Sequence, residues 1–151
     1  QVADGLLSHG GAFAPGLTYS GHPAACAAGL ETLRILREGN IIQHAADEIA
    51  RHFHARLRQL EDHAIVGQVR GEGMFAAVEL VRDKSSRERL APESAGALFC
   101  RDRANANGLM VRQVGDAMIM APPLVCSVAE IDDLAEMLTR ALDETAGHYG
   151  I

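Results

Sequence analysis

Apolar and polar positions follow two periodicities that alternate along the chain. From Ile41 onward, Ile42, Ala45, Ala46, Ile49, Phe53, Leu57 and Leu60 recur at helical spacing, which predicts an amphipathic helix. The period then drops to that of strands. "IVGQV" at 65–69 and "MFAAVELV" at 74–81 are β-like runs, and "RGEG" between them is a tight-turn signal. Residues 82–91 are charged and predict a loop. A helix is predicted from Pro92 to Asn107, closed by Gly108. "LMVRQV" and "AMIMA" flank Gly115-Asp116, a two-residue hairpin signal, and Pro122-Pro123 ends the second run. Ser127 and Glu130 have capping-box spacing ahead of a last helix, whose Ile131, Leu134, Ala135, Leu138, Ala141 and Leu142 share one face.

The first forty residues read differently. Residues 1–22 are punctuated by Gly and His and predict a loop with one helical turn. Pro23 suits a first helical position, where its missing N–H is no loss. The helix it opens runs to about Glu38 and is stopped by Gly39-Asn40. Its Ala24 to Gly29 stretch is small-residue on nearly all sides, a surface that other backbones can approach closely. The order helix, helix, two strands, helix, two strands, helix predicts an α+β fold: a mostly antiparallel sheet with helices on one face.

Composition narrows the class. The chain has 151 residues, 48% apolar and 23% charged, which suits one globular domain. No apolar run reaches the ~20 residues that cross a bilayer, and the start has no basic region ahead of an apolar one, so no membrane span or signal peptide is expected. A formal charge of −6 argues against a general nucleic-acid footprint. Cys26, Cys100 and Cys126 are odd in number and widely spaced. That argues against a disulfide framework or a zinc site and suits a reducing cytoplasm. Of the 14 basic residues, Lys84 is the single lysine.

Two stretches carry candidate chemistry. In "TYSGHP", Thr18 and Ser20 offer hydroxyls just before a helix N-terminus, an arrangement that suits a phosphate. The plainer reading is an N-cap loop in which Ser20 satisfies the helix end. Arg112 sits within an apolar strand and must find an anion or reach solvent. Its planar fork matches a carboxylate, and the plainer reading is an exposed strand arginine. His52 and His54 are two apart and do not share a helix face, while His44 and Glu48 lack a third ligand, so these read as solvated helix positions. His22 caps or braces the loop, and Lys84 lies in a charged run as a surface residue.

Taken together, "FAPGLTYSGHPAACAAGLETLRI", "VRGEGMFAAVELV" and "GLMVRQVGDAMIMAPPL" resemble the class III aminotransferases, pyridoxal 5'-phosphate (PLP) enzymes of fold type I. Within that class, "TYSGHP" together with the Arg before "GD" resembles the ω-amino acid:pyruvate transaminases. The resemblance implies that residues 1–40 end a large PLP-binding domain and supply the interdomain helix. Residues 41–151 would then be the small C-terminal α+β domain. It implies a homodimer formed through the large domain, with Thr18 reaching the phosphate of the PLP bound in the other subunit. Leu17 would line the partner's pocket. Arg112 would bind a substrate carboxylate and swing aside for an apolar substrate.

The family's catalytic Lys lies upstream of "TYSGHP", hence upstream of Gln1, and Lys84 cannot stand in for it. The implied parent moves an amino group between an amine or ω-amino acid and a keto acid such as pyruvate in the cytoplasm, and residues 1–151 alone would be inactive. Two other readings stand beside it: an aminomutase-type relative, and a non-catalytic small-molecule-binding domain of the same fold.

Overall fold

The structure, a computed structural model, describes Asp4, Gly5, Ser8 and residues 16–151. It divides into two compact units, Gln1–Glu38 and Gly39–Ile151. In the first, helix α1 (Pro23–Glu38) has no buried residue, and Leu30, Leu33 and Ile35 are exposed along it. Arg34 ties it internally to Glu31, at 2.6 Å, and to Glu38.

The second unit opens at Asn40, whose left-handed backbone (φ 51°) breaks the chain direction. Helix α2 follows in three pieces, Ile41–His44, a π-helical Ala45–Ile49 and Ala50–Gln59. Ala45, Ile49, Ala50, Phe53 and Leu57 are buried, as the spacing predicts. Ile42 and Ala46 are exposed, against expectation. The π segment has i→i+5 bonding, so it shifts the helix phase and turns those two positions outward.

Strands β1 (Val66–Glu72) and β2 (Phe75–Asp83) form an antiparallel hairpin. Its turn is shorter than "RGEG" suggests. Arg70 to Glu72 stay in the ladder, leaving Gly73-Met74 as the turn. Gly71 pairs with Ala76, and a Cβ at Gly71 would lie 2.2 Å from the Phe75 carbonyl oxygen, so no other residue fits. The charged loop contains a short strand, β3 (Glu88–Arg89), on the edge of β2.

The next helix, α3 (Ala95–Ala106), starts three residues later than predicted. Pro92 begins a 3₁₀ turn in which Glu93 (φ 52°) and Ser94 (φ 59°) are left-handed. Leu90 presses against Gly96 there: a Cβ on Gly96 would meet Leu90 Cδ2 at 2.7 Å. Strands β4 (Arg112–Val114) and β5 (Ala117–Met120) form the second hairpin around Gly115-Asp116. Leu109 to Val111 read as strand but lie outside the ladder, because β5 ends at Met120 and reaches back only to Arg112.

Helix α4 (Val128–Tyr149) begins at a complete capping box, with the Ser127 N–H donating to Glu130 Oε2 at 2.7 Å and the Glu130 N–H to Ser127 Oγ at 3.3 Å. The Ser127 N–H and the Ser127 hydroxyl, which both donate to the Glu130 carboxylate, hold that carboxyl below the usual range. Among the described residues, no helix is long and apolar enough to cross a membrane.

The strand order is β1-β2-β5-β4 with β3 on β2, every pairing antiparallel. One sheet face carries Ala76, Val78, Met118 and Met120 into the core against Phe53, Leu57, Leu138 and Leu142. Each large side chain buried there contributes about 1.5–3 kcal/mol. On the opposite face, register places Arg70, Ala77, Ile119 and Arg112 in one row across the four strands.

Polar ties fasten α4 to the region of α2. His52 Nε2 lies 2.7 Å from Asp132 and His63 Nε2 lies 3.2 Å from Asp143. His52 is therefore half-buried and partnered, not a solvated helix position. Arg56 Nε also approaches Asp132 at 2.9 Å, though off hydrogen-bond alignment. Both histidine ties span 80 positions of sequence, so the two helical runs advance in the same direction.

Candidate functional site

The candidate residues fall in different units and are described separately. Leu17 and Thr18 belong to the first. Thr18 to Gly21 form a turn closed by the Ser20 N–H donating to the Leu17 carbonyl at 3.0 Å. Gly21 (φ 74°) then redirects the chain into α1. The helix end is met by His22 and not by Ser20. The Ala25 N–H donates to the His22 ring at 3.4 Å, and the Cys26 N–H to the His22 carbonyl at 2.9 Å. Because His22 does the capping, the Thr18 and Ser20 hydroxyls have no hydrogen-bond partner among the described residues. Leu17 is 80% exposed beside them. Exposed hydroxyls on a turn just ahead of a helix N-terminus suit a phosphate oxygen.

Arg112 lies in the second unit, at the start of β4. Its ladder partner is Ile119, and its side chain is exposed. It has no ion-pair partner among the described residues, whereas Arg70 is held by Glu79 and Arg89 by Asp116. Arg112 lines a cavity of about 890 Å³ bounded by β4, β5, the 121–126 loop and α4. The lining is apolar apart from Arg112 and Glu130, and the Glu130 carboxylate is already committed to Ser127. A guanidinium at the edge of an apolar cavity can hold a carboxylate whose remaining body is apolar.

The structure adds residues that the sequence reading passed over. Leu134, expected in the core, is half-buried because it faces this cavity. Phe75, Met110 and Pro123 are further walls. Met110 was open to detection, since it sits two positions from Arg112. The walls contributed by α4 come from contacts too distant in sequence for any local pattern to show.

The remaining chemistry-bearing side chains are accounted for locally. Lys84 Nζ donates to the Glu61 carbonyl at 2.5 Å in an exposed loop. His54 meets the Gly73 carbonyl at 3.0 Å and so diverges from His52. Among the described residues no group of three His, Cys, Asp or Glu could hold a metal ion. Cys100 is buried, and burial pushes its thiol up to about 11 despite a Thr145 hydrogen bond that lowers it. Cys126 in the cavity wall is also raised, by partial burial and then by the Glu130 charge.

Known proteins give this geometry its context. The family described as aminotransferase class-III matches residues 5–142. The chain is 48% identical over 141 residues to the putrescine–pyruvate aminotransferase of Pseudomonas aeruginosa, covering 93% of this chain and 31% of that protein. It is 36% identical over 148 residues to the mitochondrial gamma aminobutyrate transaminase 1 of Solanum lycopersicum, covering 96% and 28%. The ω-transaminase of Pseudomonas jessenii, solved in complex with PMP, superposes with a TM-score of 0.87 at 36% identity, covering 99% of this chain and 32% of that one. The chain thus spans about a third of the length of these relatives. With nearly every residue matched in sequence and in fold, the chain belongs to the class III aminotransferase family.

Proposed function

We propose that this chain is the C-terminal portion of a PLP-dependent ω-transaminase. It would transfer an amino group from an amine of the putrescine or ω-amino acid class to a keto acid such as pyruvate. Family membership and the 48% identity to a putrescine–pyruvate aminotransferase support the reading. The observation that carries it is the unpaired Arg112 fork at the edge of an apolar cavity.

The turn at Thr18 fits the phosphate end of the cofactor. Its hydroxyl is exposed and free to donate, and it lies ahead of a helix N-terminus, where an anion is favoured. When bound, the cofactor supplies the electron sink that stabilises charge on the substrate carbon. The residues of this chain do three things. Thr18 donates to a phosphate oxygen of the cofactor held by the partner subunit of a homodimer, and Leu17 lines that pocket. Arg112 binds the acceptor carboxylate through paired charge-assisted bonds and so fixes the orientation of the carbonyl. The apolar lining excludes water beside it. The covalent lysine comes from polypeptide upstream of Gln1: Lys84, the single lysine of residues 1–151, donates to the Glu61 carbonyl in an exposed loop.

The test is Arg112→Ala in the full-length protein. A charge-assisted pair contributes about 1.5–3 kcal/mol, so KM for a keto acid should rise roughly 10- to 100-fold. KM for a simple alkyl or aryl amine should change little, because only the carboxylate uses the fork. Equal losses for both substrates would assign Arg112 a structural role.

A further inference from the structure

Helix α2 carries positive charge that its surroundings neutralise only in part. From Ala50 to Gln59 it holds three Arg, two His and no acid, in a chain of net charge −6. His52 and Arg56 are taken up by Asp132. Arg51 and Arg58 are exposed and have no side-chain partner among the described residues. Seven positions apart, they stand on one helix face, about 10.5 Å from each other along the axis. Local geometry explains why no acid reaches them. Asp47, four positions before Arg51, would face it in a regular helix. The π-helical Ala45–Ile49 shifts the phase, and Asp47 accepts from Gln43 at 2.6 Å instead. The 3₁₀ turn Leu60–Asp62 likewise carries Asp62 out of line with Arg58, and Glu61 accepts from the Val69 N–H at 3.3 Å.

Both arginines line one groove of about 490 Å³ between α2 and the β1–β2 turn. His54 fixes its width: a carbonyl only accepts, so His54 Nε2 donates to the Gly73 oxygen at 3.0 Å and ties the turn to the helix. A Cβ built on Gly73 meets nothing within 4 Å, so the space beside the turn is open. We propose that this groove binds a small oligophosphate, either free or as the phosphate chain of a nucleotide. Its volume suits one small ligand and not a macromolecular surface. Each planar guanidinium matches two phosphoryl oxygens at once. A single phosphate engages one fork, whereas a chain of phosphoryl groups engages both. Glu72 also lines the groove and opposes an anion, so the ligand has to bring enough charge to hold both arginines together. The groove shares no lining residue with the Arg112 cavity, and its occupancy leaves the carboxylate station open.

The test is calorimetric titration of residues 1–151 and of the full-length protein with inorganic triphosphate, pyrophosphate, phosphate and ATP, in about 50 mM salt so that screening is modest. Triphosphate should bind at least roughly tenfold more tightly than phosphate. Arg51→Ala and Arg58→Ala should each raise its Kd about tenfold, the loss of one charge-assisted fork at an exposed site. Ala46→Glu keeps both arginines and adds a carboxylate to the exposed groove wall, and it should abolish binding. As surface changes, all three should leave the melting temperature within about 2 °C. Arg112→Ala removes the other unpaired guanidinium and should leave triphosphate binding unchanged. ATP binding equal to triphosphate assigns the site to the phosphate chain alone, and tighter ATP binding assigns it to a nucleotide; either result keeps the site. No binding at millimolar triphosphate overturns the proposal. So does binding indifferent to Arg51→Ala and Arg58→Ala, binding lost in Arg112→Ala, or an Arg51 and Arg58 dependence seen in residues 1–151 and missing from the full-length protein. None of these outcomes bears on transamination, which is measured separately.

Discussion

Two glycines of the β1–β2 hairpin, two residues apart, should respond very differently to the same added methyl group. Gly73 (φ 57°) has nothing within 4 Å of a built Cβ. Gly73→Ala therefore meets only the left-handed backbone preference, about 1–2 kcal/mol. Gly71 (φ 152°) would place its Cβ 2.2 Å from the Phe75 oxygen and 2.6 Å from the Ala76 Cα. Both obstructions are backbone, so no rotamer change relieves them. Ala76 is fully buried and pairs with Gly71, so relief requires the strands to separate at the core. Overpacking of that kind costs about 1–3 kcal/mol, and the unfavourable backbone adds about 1–3 kcal/mol. Gly71→Ala should then lose roughly 3–5 kcal/mol, a fall in melting temperature of order 10 °C, against about a third of that for Gly73→Ala. Urea and thermal unfolding, each followed by circular dichroism, give both values. A loss at Gly71 no greater than at Gly73 would refute the steric account and leave backbone conformation as the whole effect.

Three further outcomes follow. In the full-length protein, Thr18→Ala should weaken cofactor retention without unfolding, because one bond to a charged group is worth about 1.5–3 kcal/mol; absorbance after gel filtration measures it, and unchanged retention would leave the turn as a cap only. In native residues 1–151 at pH 8, a thiol reagent should label Cys26 first and Cys126 more slowly, and Cys100 only after denaturant, since its buried thiol titrates near 11; early Cys100 labelling would contradict its burial. The Glu130 carboxyl is lowered in the folded state, so its cap stabilises above the unfolded pKa and is lost as pH falls through the folded one. Melts between pH 7 and pH 3 should show an acid-dependent loss for wild type that is reduced in Glu130→Gln, and identical profiles would show the cap to be idle.

The features legible in the sequence are those fixed by neighbours along the chain. Ser127 and Glu130 announce the start of α4, and the residues facing inward from it are buried as their spacing requires, except Leu134. The hairpin at Gly115-Asp116 was equally plain, since a two-residue loop demands residues tolerant of positive φ and Gly115 adopts 58°. Other features had no local signal. The π segment in α2 answers to packing, not to composition, so the phase of Ile42 could not be read. Pro92 suggests a helix start, but the left-handed backbone of Glu93 and Ser94 delays the helix to Ala95. Arg112 stood out as a charge in an apolar run. The cavity beside it is built by α4 and the 121–126 loop, which no window around Arg112 contains.

The ties between α4 and the α2 region have a consequence for synthesis of the protein. Asp132 and Asp143 each leave the ribosome 80 residues after the histidine they bind. At about 5–20 residues per second, roughly 4–16 s separate the two ends of each tie. During that interval α2 and the β1–β2 hairpin exist without the helix that covers Phe53, Leu57 and Val78, since Leu138 and Leu142 have yet to be made. A nascent chain stalled before Val128 therefore presents apolar strands not yet covered by α4, a form that invites a chaperone.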